Sequence, residues 1–290
     1  MLERTYPPND SNGGTSPCQI PVLALLISSG NNSTKEHIAD MSIERRNFPQ
    51  FFITAAGTCP YLPGRMERKV FTHLIGPDAK SLNSQLSQGG FRRSQNIAYR
   101  PACDGCSSCV SVRVPVNTFD WKKGFRRTLT RNIDIQSSIV PARATSEHYS
   151  LFRTYIDHRH GDGGMADMTV LDFAAMVDDT LVDSRIVEYR LSTPYQPEGE
   201  LVAAVLVDLL NDGVSLIYSF YDPELEHRSL GTFIILDMFR RTLRMGLPYV
   251  YLGFWIREAY KMRYKARFLP QERLGPDGWN LVHSNDFDAH

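Results

Sequence analysis

Three cysteines at three-residue spacing, CDGCSSC at residues 103–109, are the first group in this chain whose types and spacing could do chemistry. Thiolates from a tight loop can converge on one ion. The C-x-x-C-x-x-C spacing suits metal ligation and overlaps the opening of the bacterial ferredoxin pattern. Three thiols alone do not close a tetrahedral site. Cys109 also begins a strand-like run, CVSVRV, where a small apolar thiol facing a core is common. Metal or cluster ligation, reduced structural thiols and a disulfide are all open on the residues alone.

A second chemical signature is basic. DWKKGFRRTLTR, residues 120–131, carries Lys122, Lys123, Arg126, Arg127 and Arg131, with Arg113 just upstream and Trp121 and Phe125 interleaved. Lysine and arginine displace counterions from phosphates while aromatics stack on bases, so the stretch reads as a nucleic-acid patch. A solvated linker helix is the plainer alternative. YKMRYKARF places Lys261, Arg263, Lys265 and Arg267 within two turns. Lys261 and Lys265, four apart, share a helix face. Arg240 and Arg241 would extend that patch. His158 and His160 are two apart, which puts their rings on different faces, so HRH reads as a helix end rather than a metal pair. His227 and His283 are isolated.

The elements that must position these groups follow from composition and pattern. The chain has 290 residues, 42% hydrophobic and 22% charged, with a formal net charge of zero. Its length favours two folded units of about 150 residues each with real cores, and the composition is that of a soluble globular protein. Balanced charge advertises no global nucleic-acid field, so any such site must be local. Five cysteines, three of them in one loop, argue against a disulfide scaffold and for a reducing cytoplasm. The apolar run IPVLALLI (20–27) is too short to span a bilayer and lacks a positive upstream flank. Residues 1–47 read as a disordered Pro/Gly/Ser/Asn-rich extension, with Met41 opening the more ordinary sequence.

From residue 48 to 131 a smaller, turn-rich unit is expected. It holds strands in RKVFTHLIG, IAYRP and CVSVRVPV, a short helix in LNSQLSQGGF and a loop in CPYLPGR. Residues 132–275 are better patterned. Thr145 or Ser146 caps a helix with an apolar face of Tyr149, Leu151, Phe152, Tyr155 and Ile156. Thr169 caps a second helix. SRIVEYRL, ELVAAVLVDLL and VSLIYSFY are strands, the last two joined by the hairpin signal Asn211-Asp212-Gly213. An amphipathic helix, TFIILDMFRRTLRMG, a strand, YVYLGFWI, and a short basic helix follow, and residues 276–290 read as a tail. This order is that of an α/β (α+β) N-acetyltransferase-like acyltransferase fold. In it two central strands splay apart and a helix N-terminus beside them binds donor oxygens. The loop HRSLGT (227–232) is a poor copy of a coenzyme A pyrophosphate loop.

Several stretches together resemble the arginyl-tRNA–protein transferase family, most closely its bacterial aspartate/glutamate leucyltransferase branch. They are CPYLPGRMERKVFTHL, LNSQLSQGGFRRSQNIAYRPACDGCSSCVSVRV, FRRTLTRN, SFYDPELEHRSLGT and YVYLGFWIREAYKMRYKARFLP. They span about residues 51–270, in an order whose combination is highly specific. The resemblance implies that an amino acid, leucine in the bacterial branch, is taken from its tRNA. It is joined to a protein beginning with Asp or Glu, marking that protein for degradation as an N-degron. No cofactor is required. Cys59 accompanies the cysteine loop in relatives. Eukaryotic members carry a comparable set for which a metal or iron–sulfur cluster is proposed, so Cys59, Cys103, Cys106 and Cys109 are the implied ligands. Cys18 is excluded.

Given that reaction, the residues divide by role. The ester is already activated, and the attacking α-amine titrates near 7.7–8.0, so positioning and oxyanion stabilisation can supply the catalysis. Backbone N–H groups of Leu230 and Gly231 are the oxyanion candidates. Asp222 is placed to accept the amine's proton, unless it only caps the turn before Pro223. Tyr218, Tyr221 and Tyr260 could protonate the departing ribose oxygen. An acidic acceptor side chain needs a fixed cation; Arg93 and Arg100 rank first, then Arg92, Lys69 and His73. The tRNA is expected on Lys122, Lys123, Arg126, Arg127, Arg131, Lys261 and Lys265. A coenzyme A-dependent N-acetyltransferase and a zinc-stabilised RNA-binding protein without catalysis are the alternative functions.

Overall fold

Strong apolar alternation and clear caps account for most of the observed elements. The computed structural model describes residues 49–159, 165–192 and 197–283. The expected extension, with Cys18, the 20–27 run and Met41, lies outside the described residues, as does His160. The described residues belong to one compact unit. It begins with four short strands, β1 (Phe52–Ile53), β2 (Gly57–Thr58), β3 (Met66–Glu67) and β4 (Lys69–His73). Helix α1 (Ala79–Gln88), β5 (Arg92–Ser94), β6 (Ile97–Pro101), β7 (Val110–Pro115) and helix α2 (Lys123–Arg131) complete the first half. The second half runs β8 (Ile135–Pro141), α3 (Ser146–Arg159), α4 (Val170–Asp178), β9 (Ser184–Leu191), β10 (Glu200–Leu210) and β11 (Gly213–Tyr221). It continues through α5 (Leu230–Arg244), β12 (Tyr249–Trp255), β13 (Gln271–Gly275) and β14 (Gly278–Val282). Short 3-10 helices at Pro223–Arg228 and Tyr260–Arg267 flank α5 and β12. The second of these replaces the basic α-helix that the sequence suggests.

One eight-stranded sheet, in the order β14-β13-β7-β12-β11-β10-β9-β8, dominates the fold. A smaller sheet, β1-β4-β6-β5, lies in the first half. The strand β7, from the stretch expected as the first unit, is hydrogen-bonded between β12 and β13 in the large sheet. Helix α3 starts where Thr145 Oγ1 accepts from the N–H of His148, and α4 where Thr169 and Asp172 form a reciprocal capping box. Strand β10 is buried along nearly its whole length because both its faces are covered. Ala203, Val205 and Val207 pack with Leu230, Ile234 and Met238 of α5. Ala204 and Leu206 face Phe152 and Ile156 of α3 and Phe173 of α4. Strand β14 falls in the expected tail. Its hairpin with β13 turns at Gly278, whose φ of +108° suits glycine, and Trp279 packs on Tyr251.

Among the described residues, strands β11 and β12 are the only parallel pair in the large sheet. They stay in register at Gly213–Tyr249, Val214–Val250 and Ser215–Tyr251, after which β11 has no pairing with β12. Gly213 permits the close start, since a Cβ there would sit 2.2 Å from Tyr249 O. The two strands therefore diverge and open a cleft beside the N-terminus of α5. This is the splayed pair and element order of an N-acetyltransferase-like acyltransferase fold. Among the described residues no helix is long and apolar enough to cross a membrane.

Candidate active site

Where β11 and β12 part, their backbone carbonyls lose the N–H donors of the opposite strand, and a buried carbonyl left unpaired is costly. Arg92, from β5, resolves this. Its Nη1 donates to Leu252 O on β12 (3.1 Å), and its Nη2 donates to Leu216 O (3.2 Å) and Ile217 O (2.9 Å) on β11. Gly253 makes room. It has φ +75°, and an ideal Cβ there would lie 1.2 Å from Arg92 Nη1. Lys265 reaches Phe254 O from the following 3-10 helix, at 2.6 Å.

The other wall is aromatic. Tyr221, at the end of β11, stacks near Tyr155 of α3 with ring centroids 4.9 Å apart. Arg159, the last residue of α3, donates to Tyr221 Oη at 2.5 Å. The ring of Tyr221 lies against Gly231, where an added Cβ would meet it at 3.0–3.2 Å. The N–H groups of Leu230 and Gly231 open α5, and among the described residues they find no acceptor in the chain. They therefore offer free donors at a positive helix end. Burial raises the Tyr155, Tyr218 and Tyr264 hydroxyls above the usual phenol range, which keeps them protonated and able to donate.

Asp222 caps the 3-10 helix that leads to α5, its Oδ1 accepting from the Glu224 N–H at 2.9 Å. The turn-capping role foreseen for it is thus occupied by one oxygen. Tyr218 is packed on Phe152 and Phe220. Tyr260 is 84% exposed.

Of the five expected acceptor contacts, Arg92 alone enters the cleft floor. Arg93 is a correction. It is 3% exposed, and its Nε and Nη2 donate to Asp208 at 2.6 and 2.8 Å, so its charge is consumed inside the protein. Arg100 is exposed, donates to Gly89 O at 3.2 Å and lies over the Phe91 ring. Lys69 pairs with Glu67 at 2.7 Å, and His73 packs on Phe52 and Phe71.

The basic patch divides in the same way. Lys122, Lys123, Arg126 and Arg127 are exposed on or next to α2. Arg131 Nη1 donates to His227 O at 2.6 Å, which ties this helix to the segment preceding α5. Arg113 leaves the patch: it pairs with Glu272 at 2.6 Å and lies 3.7 Å from the Tyr249 ring centroid. Lys265 is a second correction. It is 7% exposed, and burial, helped by Arg92, depresses its pKa far below the ordinary lysine value. It cannot share a solvent face with the exposed Lys261 because the segment winds as a 3-10 helix, where i and i+4 do not align. Arg241 pairs with Asp237 at 2.6 Å, leaving Arg240 exposed.

Cys59, Cys103, Cys106 and Cys109 line one pocket with Tyr61, Tyr99 and Phe254. Cys109 feels the other three thiols, but burial is what chiefly raises its pKa, to about 11. Cys103 Sγ is turned to the Arg68 backbone and Cys106 Sγ to the Ser108 hydroxyl. Among the described residues no three His, Cys, Asp or Glu side chains gather closely enough to hold a metal ion. As folded, the thiols do not fit an ion or a cluster, and no chemical step is routed through one.

Sequence reasoning missed Arg159, Tyr155 and Tyr264 as site residues. Tyr155 reads as part of a helix face and Arg159 as a helix end. These residues and Arg92 come from three separate elements, α3, the second 3-10 helix and β5. The one available signal was the aromatic and cationic end of α3, YIDHR, which a purely core-facing helix does not need.

Known proteins share long stretches of this sequence. The family model "Arginine-tRNA-protein transferase, N terminus" matches residues 57–127, and "Arginine-tRNA-protein transferase, C terminus" matches residues 147–275. A Xanthobacter autotrophicus protein named aspartate/glutamate leucyltransferase is 58% identical over 247 residues, covering 83% of this chain and 99% of its own length. Proteins of the same name from Afipia carboxidovorans and Nitrobacter hamburgensis are 60% and 55% identical. They cover 83% and 86% of this chain, and 96% and 98% of their own lengths. Among solved structures, FemX aligns with a TM-score of 0.44 at 9% identity over 71% of this chain and 69% of its own. Two matched segments covering more than half of the sequence, and relatives this similar over almost their whole length, show that the chain belongs to the arginine-tRNA-protein transferase family.

Proposed function

We propose that the protein transfers leucine from leucyl-tRNA to the N-terminal Asp or Glu of acceptor proteins, tagging them for degradation in the cytoplasm by an N-degron route. The observation that carries this reading is the 55–60% identity to aspartate/glutamate leucyltransferases over nearly their full length. The cleft chemistry supports it. The acceptor's neutral α-amine attacks the ester carbonyl, the developing oxyanion is held by the N–H groups at the start of α5, and the ribose oxygen leaves as the amide forms. Asp222 takes the amine's proton, and a buried, protonated tyrosine such as Tyr218 supplies one to the ribose oxygen, so the proton count closes. The ester is activated before it arrives, so no nucleotide is consumed.

Lys122, Lys123, Arg126 and Arg127 hold the tRNA backbone, brought beside the α5 N-terminus by the Arg131–His227 bond. Arg92 already fills the strand splay with three hydrogen bonds to backbone carbonyls, which leaves those carbonyls unavailable to a pantetheine arm. That occupancy disfavours the acetyl-coenzyme A alternative. The test is direct: incubate the protein with labelled Leu-tRNA, Arg-tRNA or acetyl-coenzyme A and peptides beginning Asp, Glu, Arg or Ala. Transfer from Leu-tRNA to the Asp and Glu peptides is expected. Transfer from acetyl-coenzyme A, or none, would refute the reading.

A further inference from the structure

Two arginines at the cleft, half-buried Arg92 and exposed Arg159, differ from the arginines that pair with carboxylates. Arg93 pairs with Asp208, Arg113 with Glu272, Arg190 with Glu147, Arg228 with Asp134 and Arg241 with Asp237. Among the described residues, Arg92 and Arg159 have no carboxylate within 4 Å. Their partners are neutral: three backbone carbonyls for Arg92 and the Tyr221 hydroxyl for Arg159. Carbonyls and phenols satisfy N–H groups but do not neutralise a guanidinium, so both cations can still draw an anion. The two cations come from different elements, β5 and the C-terminal end of α3, yet both reach β11: Arg92 at Leu216 and Ile217, and Arg159 at Tyr221.

We infer that Arg159 and Arg92, with the Tyr221 hydroxyl that Arg159 holds, form the seat of the acceptor's acidic side chain. The inference rests on the reading of the protein as a leucyl transferase to Asp and Glu, and it assigns that selectivity to Arg159, a residue absent from the expected acceptor contacts. A seat with two cations suits both acids, because Asp and Glu differ by one methylene and a carboxylate can lean toward either guanidinium. An Asn or Gln side chain occupies the same volume without charge and leaves both cations unpaired, and a site built for one polar partner discriminates strongly against its isostere. The seat lies beside the α5 N-terminus through Tyr221, which touches Arg159 on one side and Gly231 on the other. An acceptor anchored there by its side chain would hold its α-amine near the oxyanion donors.

The test measures leucine transfer by the whole protein to peptides beginning Asp, Glu, Asn and Gln, with peptide and Leu-tRNA varied separately. Arg159 is exposed at a helix end, so Arg159→Met is expected to fold as the wild type does. Its kcat/KM for Asp and Glu peptides should fall about 30- to 1000-fold. Its KM for Leu-tRNA should stay unchanged, and its preference for Glu over Gln should collapse. Arg159→Lys should recover part of the loss, and Arg92→Lys should weaken the same preference. Preserved discrimination in Arg159→Met overturns the inference while leaving the transferase reading intact. A rise in KM for Leu-tRNA instead of for the peptide also overturns it, by giving these cations to the nucleic acid. A wild-type protein that transfers no leucine would refute the transferase reading itself, which is a separate result.

Discussion

Arg92 occupies the space that a side chain at position 253 would need: an ideal Cβ on Gly253 would lie 1.2 Å from its Nη1. The positive φ of Gly253 and the guanidinium bridging β11 and β12 are thus one device, a strand bend that admits a cation into the sheet's gap. Gly253→Ala should expel Arg92 and strain the backbone. A loss of ~1–3 kcal/mol is expected in urea unfolding, with leucine transfer reduced more than stability alone explains. Wild-type transfer in Gly253→Ala would show that Arg92 has no role in the cleft.

The Arg93–Asp208 pair should act purely in stability. Asp208 is fully buried and also accepts from Ser184 Oγ at 2.6 Å and from Asn83 Nδ2 at 3.3 Å. Arg93→Met strands that carboxylate, a loss of ~3–5 kcal/mol. Denaturant titration reads it. Residual folded protein should keep its preference for acidic acceptors, because Arg93 does not reach the cleft.

Lys265 should leave a signature in the pH dependence of stability. The unfolded lysine titrates near 10.4, whereas burial, with Arg92 adding to it, holds the folded value well below that. Between the two values the unfolded chain binds the extra proton, so this group's contribution to stability rises with pH and falls as pH drops toward the folded value. Lys265→Met removes the term. Its melting temperature should change less than the wild type's between about pH 8 and 10. Parallel profiles would contradict a neutral buried amine.

The cysteine loop should show graded reactivity. Hydrogen bonds from Ser108, backbone first and then hydroxyl, lower the Cys106 pKa. Burial raises that of Cys109 to about 11. Thiolate is the reacting form, so limited iodoacetamide near neutral pH, read by peptide mass mapping, should label Cys106 well before Cys109. Equal rates would mean that the loop is organised differently.

These residues also show what the sequence could reveal. Thr145, Thr169 and Asn211–Gly213 announced two helices and a hairpin because caps and tight turns are local chemistry. Strand β8 was missed because Gln136, Ser137 and Ser138 break its alternation at an exposed sheet edge. Strand β13 was missed because its residues are mostly half-buried and polar. The fate of Arg93 depends on a residue 115 positions away. The readable hint was Asp208 itself, a lone acid within the apolar run VLVDLL, which a buried strand tolerates only with a partner. That Arg92 and Arg159 both reach β11 could not be read from sequence, since the strand brings them together only in the folded sheet.

The measurement closest to the central claim is the intact mass of an Asp-initiated peptide after incubation with Leu-tRNA and either the wild-type protein or Gly231→Val. The wild type should add one leucyl group. The valine would press on Tyr221 and close the space at the start of α5, lowering kcat by about 100- to 1000-fold while the protein remains folded by circular dichroism. Leucine addition at the wild-type rate by the variant, or no addition by the wild type, would contradict the assignment of this cleft as the place where the leucyl ester is attacked.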